Sequence, residues 1–523
     1  MTSVVQFYPL ILHTINGVFA QIKAPSDIPT DLLQFIKTLE ESNTLWTAEE
    51  EFFLIQLFIA LLLVFSIIYV SFRDWRQSVK LVFFVLVIDG ALRKWLLPQA
   101  SEFIYFLKDL ILLGAYFRYY IFPRGEDRYP IQNNFINIFI IISAGWCIFQ
   151  AFNPNLGSPL VGLLGLKSYL FYIPLIWMMP RLFRSQQELY IFLRNHLFLL
   201  IPVGILGIVQ FFSPINSPIN QYIPGRNEPI ATFGFAGTRN VRITGTFSYL
   251  NSYQGYLAAC FGLLIPQLSI KQDQIWRILT YTEIFLTILN SFMTGSRTPV
   301  IAEILFILGY FSIRALRQPE KTFLWLGRLL PFLAVAASLS LIAFRPVVEA
   351  FWVRVSSNTD LAERIASGFI GPFSFLTYTG LDGFGAGATH AGAGSLRLAL
   401  GLPWGTPLPV EVEPEMGRVA LELGPIGFIL WYGMRVAIIF ALWRTFTRLK
   451  RLYLRDLALA GFLIHGILFI NQMVYHNSFG WYYWFYTGLV FLLPQLERIE
   501  NWREEQYYLQ QYNTQYRTDS PYR

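Results

Sequence analysis

Residues 52–72 read FFLIQLFIALLLVFSIIYVSF, without one charged side chain. A helix over this stretch rises 1.5 Å per residue and is about 31 Å long, enough to span a bilayer's hydrocarbon core. Working outward, runs of about 17–23 residues with few or no charges repeat along most of the chain. Their spacing predicts spans near 52–72, 77–97, 102–122, 134–152, 159–180, 190–212, 252–270, 276–293, 298–313, 325–344, 416–443, 455–475 and 478–496. The expected fold is therefore an all-α polytopic membrane protein with about 13 (12–14) transmembrane helices.

Composition agrees. Of 523 residues, 54% are hydrophobic and 14% charged, against roughly 25% charged in a soluble domain. That excludes an ordinary water-soluble enzyme. The net charge of +7 belongs with the positive-inside rule and carries no nucleic-acid signal. Cys147 and Cys260 both lie in apolar runs, which excludes a disulfide framework or a Cys-rich metal site.

Alternate loops set the expected sidedness. Arg73, Arg76 and Lys80, then Arg118, Arg124 and Arg128, then Arg181 and Arg184 fall on one side. Lys271, Arg277, Arg314, Arg317, Lys321, Arg328 and the cluster from Arg444 to Arg455 join them, whereas 153–158 has no basic residue. The basic side is cytoplasmic by this rule. The expected organisation has three parts. Residues 1–51 form an N-terminal segment whose run Val4–Ile22 either spans the membrane or lies in its interface. Residues 52–496 form the membrane domain, with outward loops near 213–251 and 345–415. Residues 497–523 form a cytoplasmic tail expected to be disordered.

Chemistry is expected in the two long loops and at the turn between them. The first loop ends Thr238-Arg239-Asn240-Val241-Arg242-Ile243-Thr244-Gly245-Thr246-Phe247. Arg239 and Arg242, three apart at a membrane boundary, fit a diphosphate bound through guanidinium forks, or two arginines snorkelling to headgroups. The turn Thr294-Gly295-Ser296-Arg297-Thr298-Pro299 places Arg297 at a helix start. A cation gains nothing from the dipole there, so an anionic partner or a lipid headgroup is expected.

The second loop closes Glu411-Val412-Glu413-Pro414-Glu415-Met416-Gly417-Arg418, running into Glu422-Leu423-Gly424. A helix from Pro414 aligns Glu415, Arg418 and Glu422 on one face. Ionisable groups at that depth mark either a wet functional site or a structural Arg418–Glu422 pair. Upstream, Gly380-Leu381-Asp382-Gly383-Phe384-Gly385-Ala386-Gly387-Ala388-Thr389-His390 is glycine-dense. It reads as a close backbone approach or a lid, with His390 as a base or an incidental loop histidine. His465 and His476 have no metal-ligand spacing.

In order, these motifs resemble the O-antigen ligase and O-antigen polymerase family of bacterial envelope proteins. The matching pieces are Arg242-x-x-Gly245-Thr246-Phe247, Thr294-Gly295-Ser296-Arg297, Arg364 ahead of Gly383-Phe384-Gly385-Ala386-Gly387, and Glu422-Leu423-Gly424-Pro425-Ile426-Gly427. The resemblance covers about 240–430. It implies a multi-pass protein of the bacterial inner membrane that moves a glycan from an undecaprenyl-diphosphate carrier to an acceptor glycan or glycolipid. No cofactor or metal is implied. Arg242 and Arg297 would hold the diphosphate, with Arg239 and Arg418 assisting and Glu422, Arg364 and His390 in support. Where the ligases carry His-Asn, about nine residues before Glu-Leu-Gly, this chain has Glu413-Pro414 with Glu415 beside it. Glu415 or Glu413 is therefore the expected general base. The competing expectations are a transporter or flippase of an anionic solute and a non-catalytic assembly partner. Lys108, Asp109, Glu283 and Glu303, deep in apolar runs, are the residues a transporter would use.

Overall fold

In a computed structural model, the residues described are 48–125, 134–223, 229–233, 240–317, 345–356 and 370–518, with isolated helical positions between 319 and 338. Val4–Ile22, Arg239, Arg364 and most of the expected span 325–344 lie outside them. The molecule is mostly helical, 77%. The stretches Pro159–Leu182, Gln186–Phe212, Arg297–Arg317 and Glu415–Arg448 are long and apolar enough to cross a membrane.

In chain order the helices begin with α1 (Ala48–Arg73), α2 (Trp75–Ala91), α3 (Ser101–Tyr116) and α4 (Phe135–Ala151). Next come α5 (Pro159–Leu170), α6 (Leu175–Leu182), α7 (Gln186–Leu197) and α8 (Leu200–Phe212). A two-stranded hairpin, β1 (Thr232–Phe233) with β2 (Asn240–Val241), lies in the first long loop. It is followed by α9 (Leu250–Gln267), α10 (Gln274–Met293) and α11 (Arg297–Arg317). The second long loop holds α12 (Arg345–Ser356) and α13 (Ala393–Leu400). Then come α14 (Glu415–Arg448), α15 (Leu452–Ile467) and α16 (Asn477–Thr518).

Packing follows the composition of each helix. In α9 every residue from Gly255 to Gln267 is buried, as befits a helix apolar all round. It packs against α10, α11, α15 and α16. Helix α1 is different: Phe58, Phe65, Tyr69 and Val70 are each more than 60% exposed. An apolar face of that size, turned outward, suits hydrocarbon rather than water.

Three breaks in regular helix shape the interior. Leu92–Leu96 continues α2 as a π-helical turn, a feature that often marks functional positions. The wider turn lets the neighbours Arg93 and Lys94 both be buried. Within α14, Gly424 adopts φ 66° and ψ −176° and Pro425 follows, a backbone region open essentially to glycine alone. The third is the corner at residues 171–174, which divides the expected span 159–180 between α5 and α6.

The tail requires a correction. Residues 497–518, expected to be disordered, continue α16 as helix. As far as Glu504 the reason is tertiary. Glu497 accepts the backbone N–H groups of Lys450 and Arg451 at 2.7 and 2.8 Å. Glu500 accepts that of Gln186 at 2.9 Å, and Arg451 pairs with Glu504 at 2.7 Å.

Candidate functional site

The glycine-dense segment and the helix break in α14 explain each other. Pro425 has no N–H, so the carbonyl of Leu421 loses its helical donor. Phe384 N–H supplies that bond at 2.8 Å, and Gly385 N–H donates to the carbonyl of Glu422 at 2.9 Å. Trp146 Nε1–H reaches the carbonyl of Leu423 at 2.9 Å. A broken helix inside an apolar bundle persists only when its freed carbonyls are satisfied in this way. The approach is so close that a Cβ on Gly383 would lie 2.5 Å from Gly424 N.

This arrangement anchors residues 388–390 beside Glu422, whose side chain is wholly buried. Tyr169 OH donates to Oε2 at 2.8 Å, and Thr389 donates to Oε1 through both its N–H and its hydroxyl at 2.7 Å. Tyr475 OH lies 2.5 and 2.6 Å from the two oxygens. Those donors use up the acceptor capacity of a carboxylate. Glu422 therefore locks Tyr169, Thr389 and Tyr475 in place.

Tyr475 is the hub of the site. The His390 ring lies 5.1 Å from its ring, and the Arg418 guanidinium 5.7 Å. The structural Arg418–Glu422 pair, one of the two readings the sequence left open, is replaced by a bond from Arg418 Nε to the carbonyl of Val412 at 3.1 Å. His390 Nδ1 accepts the N–H of Gly392 at 2.9 Å, so in neutral His390 the proton sits on Nε2. That tautomer makes His390 a donor, which removes the base from the two readings its sequence position left open. Burial, with Lys167 and Arg418 adding to it, pulls its pKa down to about 4.

The adjacent turn holds a histidine that the sequence motifs do not point to as a base. Gln472 Nε2 donates to the carbonyl of Glu413 at 2.7 Å, which turns Gln472 Oε1 toward His476 Nε2, its hydrogen-bond partner. Nε2 must then carry the hydrogen, and the Nδ1 lone pair is available to accept a proton. Burial, followed by Arg418, holds the His476 pKa near 4. The signal in the sequence is a His-Asn pair opening a helix, His476-Asn477.

Glu415 and Glu413 do not occupy this position. Glu415 is buried in an ion pair with Arg435 at 3.0 Å, and it also accepts the N–H groups of Met473 and Val474. These three donors tie the carboxylate into a structural pair away from His390 and His476, which corrects its expected role as base. Glu413 is exposed, and its backbone carbonyl makes the contact with Gln472.

From this hub a seam of buried charge runs to the first long loop. Asn477 Nδ2 donates to Tyr105 OH at 2.9 Å. The Tyr105 ring faces Lys167, Lys108 and Arg93 at 4.6, 4.7 and 5.1 Å. Lys167 pairs with Asp109 at 2.9 Å and Lys108 with Asp89 at 3.4 Å. Arg93 continues to Ser248 Oγ at 3.2 Å, and Lys94 binds Thr244 Oγ1 at 3.1 Å and the carbonyl of Gly245 at 2.9 Å. These four cations face two aspartates, so the seam is net positive.

The same loop carries Arg242, whose Nε donates to the carbonyl of Thr294 at 2.9 Å. That bond joins the first arginine motif to the Thr294–Arg297 turn, where Gly295 has φ 62° against the Phe233 ring. Arg242 and Arg297 are both part-buried. The fold thus makes two groups: Arg242 is joined to the Thr294–Arg297 turn, and Arg418, Glu422 and His390 surround Tyr475; the seam through Tyr105, Arg93 and Lys94 links the second group to Thr244 and Gly245 in the loop that carries Arg242. Among the described residues, no three His, Cys, Asp or Glu side chains gather as a metal site. No family model, curated protein or solved structure matches the chain.

Proposed function

We propose that this protein is a membrane-embedded glycosyltransferase, similar to the O-antigen ligases and polymerases. It moves a glycan from undecaprenyl diphosphate to an acceptor glycan or glycolipid at the outer face of a bacterial inner membrane. The reading includes about 13 transmembrane helices and a cytoplasmic C-terminus. The observation that carries it is convergence. The Glu422 hub and the loop that carries Arg242, 180 residues apart in sequence, are linked by one net-positive seam.

The chemistry needs two things, a sink for the leaving group's charge and a proton acceptor. The acceptor sugar's oxygen attacks the anomeric carbon while the bond from that carbon to the diphosphate oxygen breaks. Undecaprenyl diphosphate leaves with the bonding pair. Arg242 and Arg297, with Arg93 and Lys94 behind them, stabilise that charge at a low-dielectric boundary. The acceptor's proton passes to His476 Nδ1. A base held near 4 by burial and Arg418 is weak until the diphosphate arrives and offsets that cation, which raises its pKa in the complex. Glu422 positions Tyr475 and Thr389 and takes no proton itself.

The test is transfer by the purified protein from a defined undecaprenyl-diphosphate oligosaccharide, with Arg242→Ala and His476→Gln alongside. His476→Gln is expected to lose about 10²–10⁴ in kcat with carrier binding retained, whereas Arg242→Ala loses binding as well. Transfer at the wild-type rate by both variants would overturn the assignment. Binding of the carrier without transfer, whatever the acceptor, would favour a transporter, which the buried Lys108–Asp89 and Lys167–Asp109 pairs also suit.

A further inference from the structure

Helix α2 connects the seam to a second, unrelated feature. Arg93 stands at its C-terminal end and Arg76 at its start, 17 residues away, or about 25 Å along the axis. Around Arg76 is an open cavity of about 900 Å³, lined by Arg73, Lys80, Arg118, Arg124 and Arg184 as well. Among the described residues, the two acidic lining residues, Asp74 and Glu188, are already committed. Asp74 caps α2 by accepting the N–H of Gln77 at 3.1 Å. Glu188 takes Lys80 Nζ and the N–H of Arg184, each at 2.6 Å. Five arginines brought from the end of α1, the start of α2, the turn after α3 and the corner before α7 line one space.

Like charges gathered from distant parts of a chain repel one another, and an anion shared between them offsets that repulsion. The first turn of α2 opens into the same space and adds its N-terminal dipole. Arginine forks match phosphate oxygens two at a time. Beside this end of α2 are exposed apolar side chains, with Tyr69, Val70, Ile121 and Phe122 each between 59% and 66% exposed. An acyl chain would find a surface there.

We infer that this cavity is a binding site for a phosphate-bearing anion, on the face of the protein opposite the seam. The favoured source is an anionic phospholipid headgroup with its chains along Tyr69, Val70, Ile121 and Phe122; the other is a soluble phosphate compound. Neither source depends on the glycosyltransferase reading.

The experiment uses the full chain in phosphatidylcholine nanodiscs. Phosphatidylglycerol is titrated into the discs and counted by native mass spectrometry, and labelled pyrophosphate is titrated into the buffer in a separate arm. The variant is Arg73→Gln/Arg124→Gln/Arg184→Gln, three exposed positions, with its thermal transition recorded. Wild type is expected to retain phosphatidylglycerol over phosphatidylcholine, to release it as salt rises, and to bind it roughly a hundredfold more tightly than the triple variant. Arg124→Gln alone should cost roughly fivefold, which keeps the test valid should the triple variant fail to fold. Salt-sensitive pyrophosphate binding that the variants lose would assign the soluble source instead. Equal binding of both probes by wild type and variants, or binding of neither by wild type, would overturn the site.

Discussion

Glu415 and Glu422 lie two turns apart on one face of α14, and both side chains are buried, yet their surroundings are opposite in kind. Glu415 faces a cation, Arg435, and the backbone of the turn after α15. Glu422 faces hydroxyl groups from α5, the glycine-rich loop and the same turn. A carboxylate paired with a buried guanidinium is a closed unit, and this one ties together the two halves of α14 on either side of the Gly424 break. One surrounded by tyrosine and threonine donors organises groups that themselves remain in contact with neighbours such as His390 and Arg418. The face of a helix says that two acids are buried; the partner says what each is for.

The largest effect expected from breaking this comparison is on the Glu415 side. Arg435→Ala strands a buried carboxylate and should cost about 3–5 kcal/mol, read as a lower thermal transition or loss of folded protein from the membrane. Replacing both partners with apolar residues of similar size should recover much of that loss. Recovery of nothing would mean that the pair is more than structural.

Next is the break that sets Glu422 in place. Gly424→Ala imposes about 1–3 kcal/mol of backbone strain and pushes a methyl group toward the carbonyl of Leu381, 2.6 Å from the ideal Cβ position. The expected outcome is faster hydrogen exchange at Phe384 and Gly385, whose N–H groups bond the freed carbonyls. Exchange at wild-type rates would show that the loop and the break are independent.

Glu422→Gln is a gentler change. An amide turns one acceptor oxygen into a donor facing hydroxyl groups, at a cost of about 1–3 kcal/mol. It should loosen Thr389 and Tyr475, and transfer should fall while Glu415 and Arg435 remain paired. Unchanged transfer would remove Glu422 from the site.

The smallest effect is electrostatic. Arg418 is among the causes that hold His390 and His476 down to about 4. Removing its charge in Arg418→Gln favours the protonated rings, so both pKa values rise, and the acid limb of the kcat/KM profile moves to higher pH. The same shifts bear on stability. The unfolded rings take up protons near 6.5 and the folded ones only near 4, so folded protein loses stability as pH falls through that window. Arg418→Gln should narrow the loss; a profile that does not move would separate Arg418 from both histidines.

How much of this is legible in the sequence differs by residue. Motifs alone single out Arg242, Arg297, Arg418, Glu422 and His390, but they leave His390 between a base and an incidental histidine, and only its bond from Gly392 fixes it as a donor. Glu415 stands where a base is wanted, and nothing in the one-dimensional pattern reveals Arg435, a full 20 residues away. His476 is weighed in the sequence as a metal ligand beside His465, a test its spacing fails, and the His476-Asn477 pair gains meaning only once Gln472 is seen to fix the ring. The polarity of the tail from Glu497 favours disorder until Lys450, Arg451 and Gln186 are found beside it.

Helical, apolar character was determined by the sequence alone, since length and hydrophobicity are local properties and a bilayer-sized run announces itself. So was the punctuation of helices by glycine, proline and arginine, because backbone freedom and a missing N–H travel with the residue. Which acid is neutralised, which histidine nitrogen is open and which cations share one space were decided only by the tertiary structure. Those properties belong to pairs of groups, and the packing of α4, α5, α14 and the turn before α16 chooses the pairs.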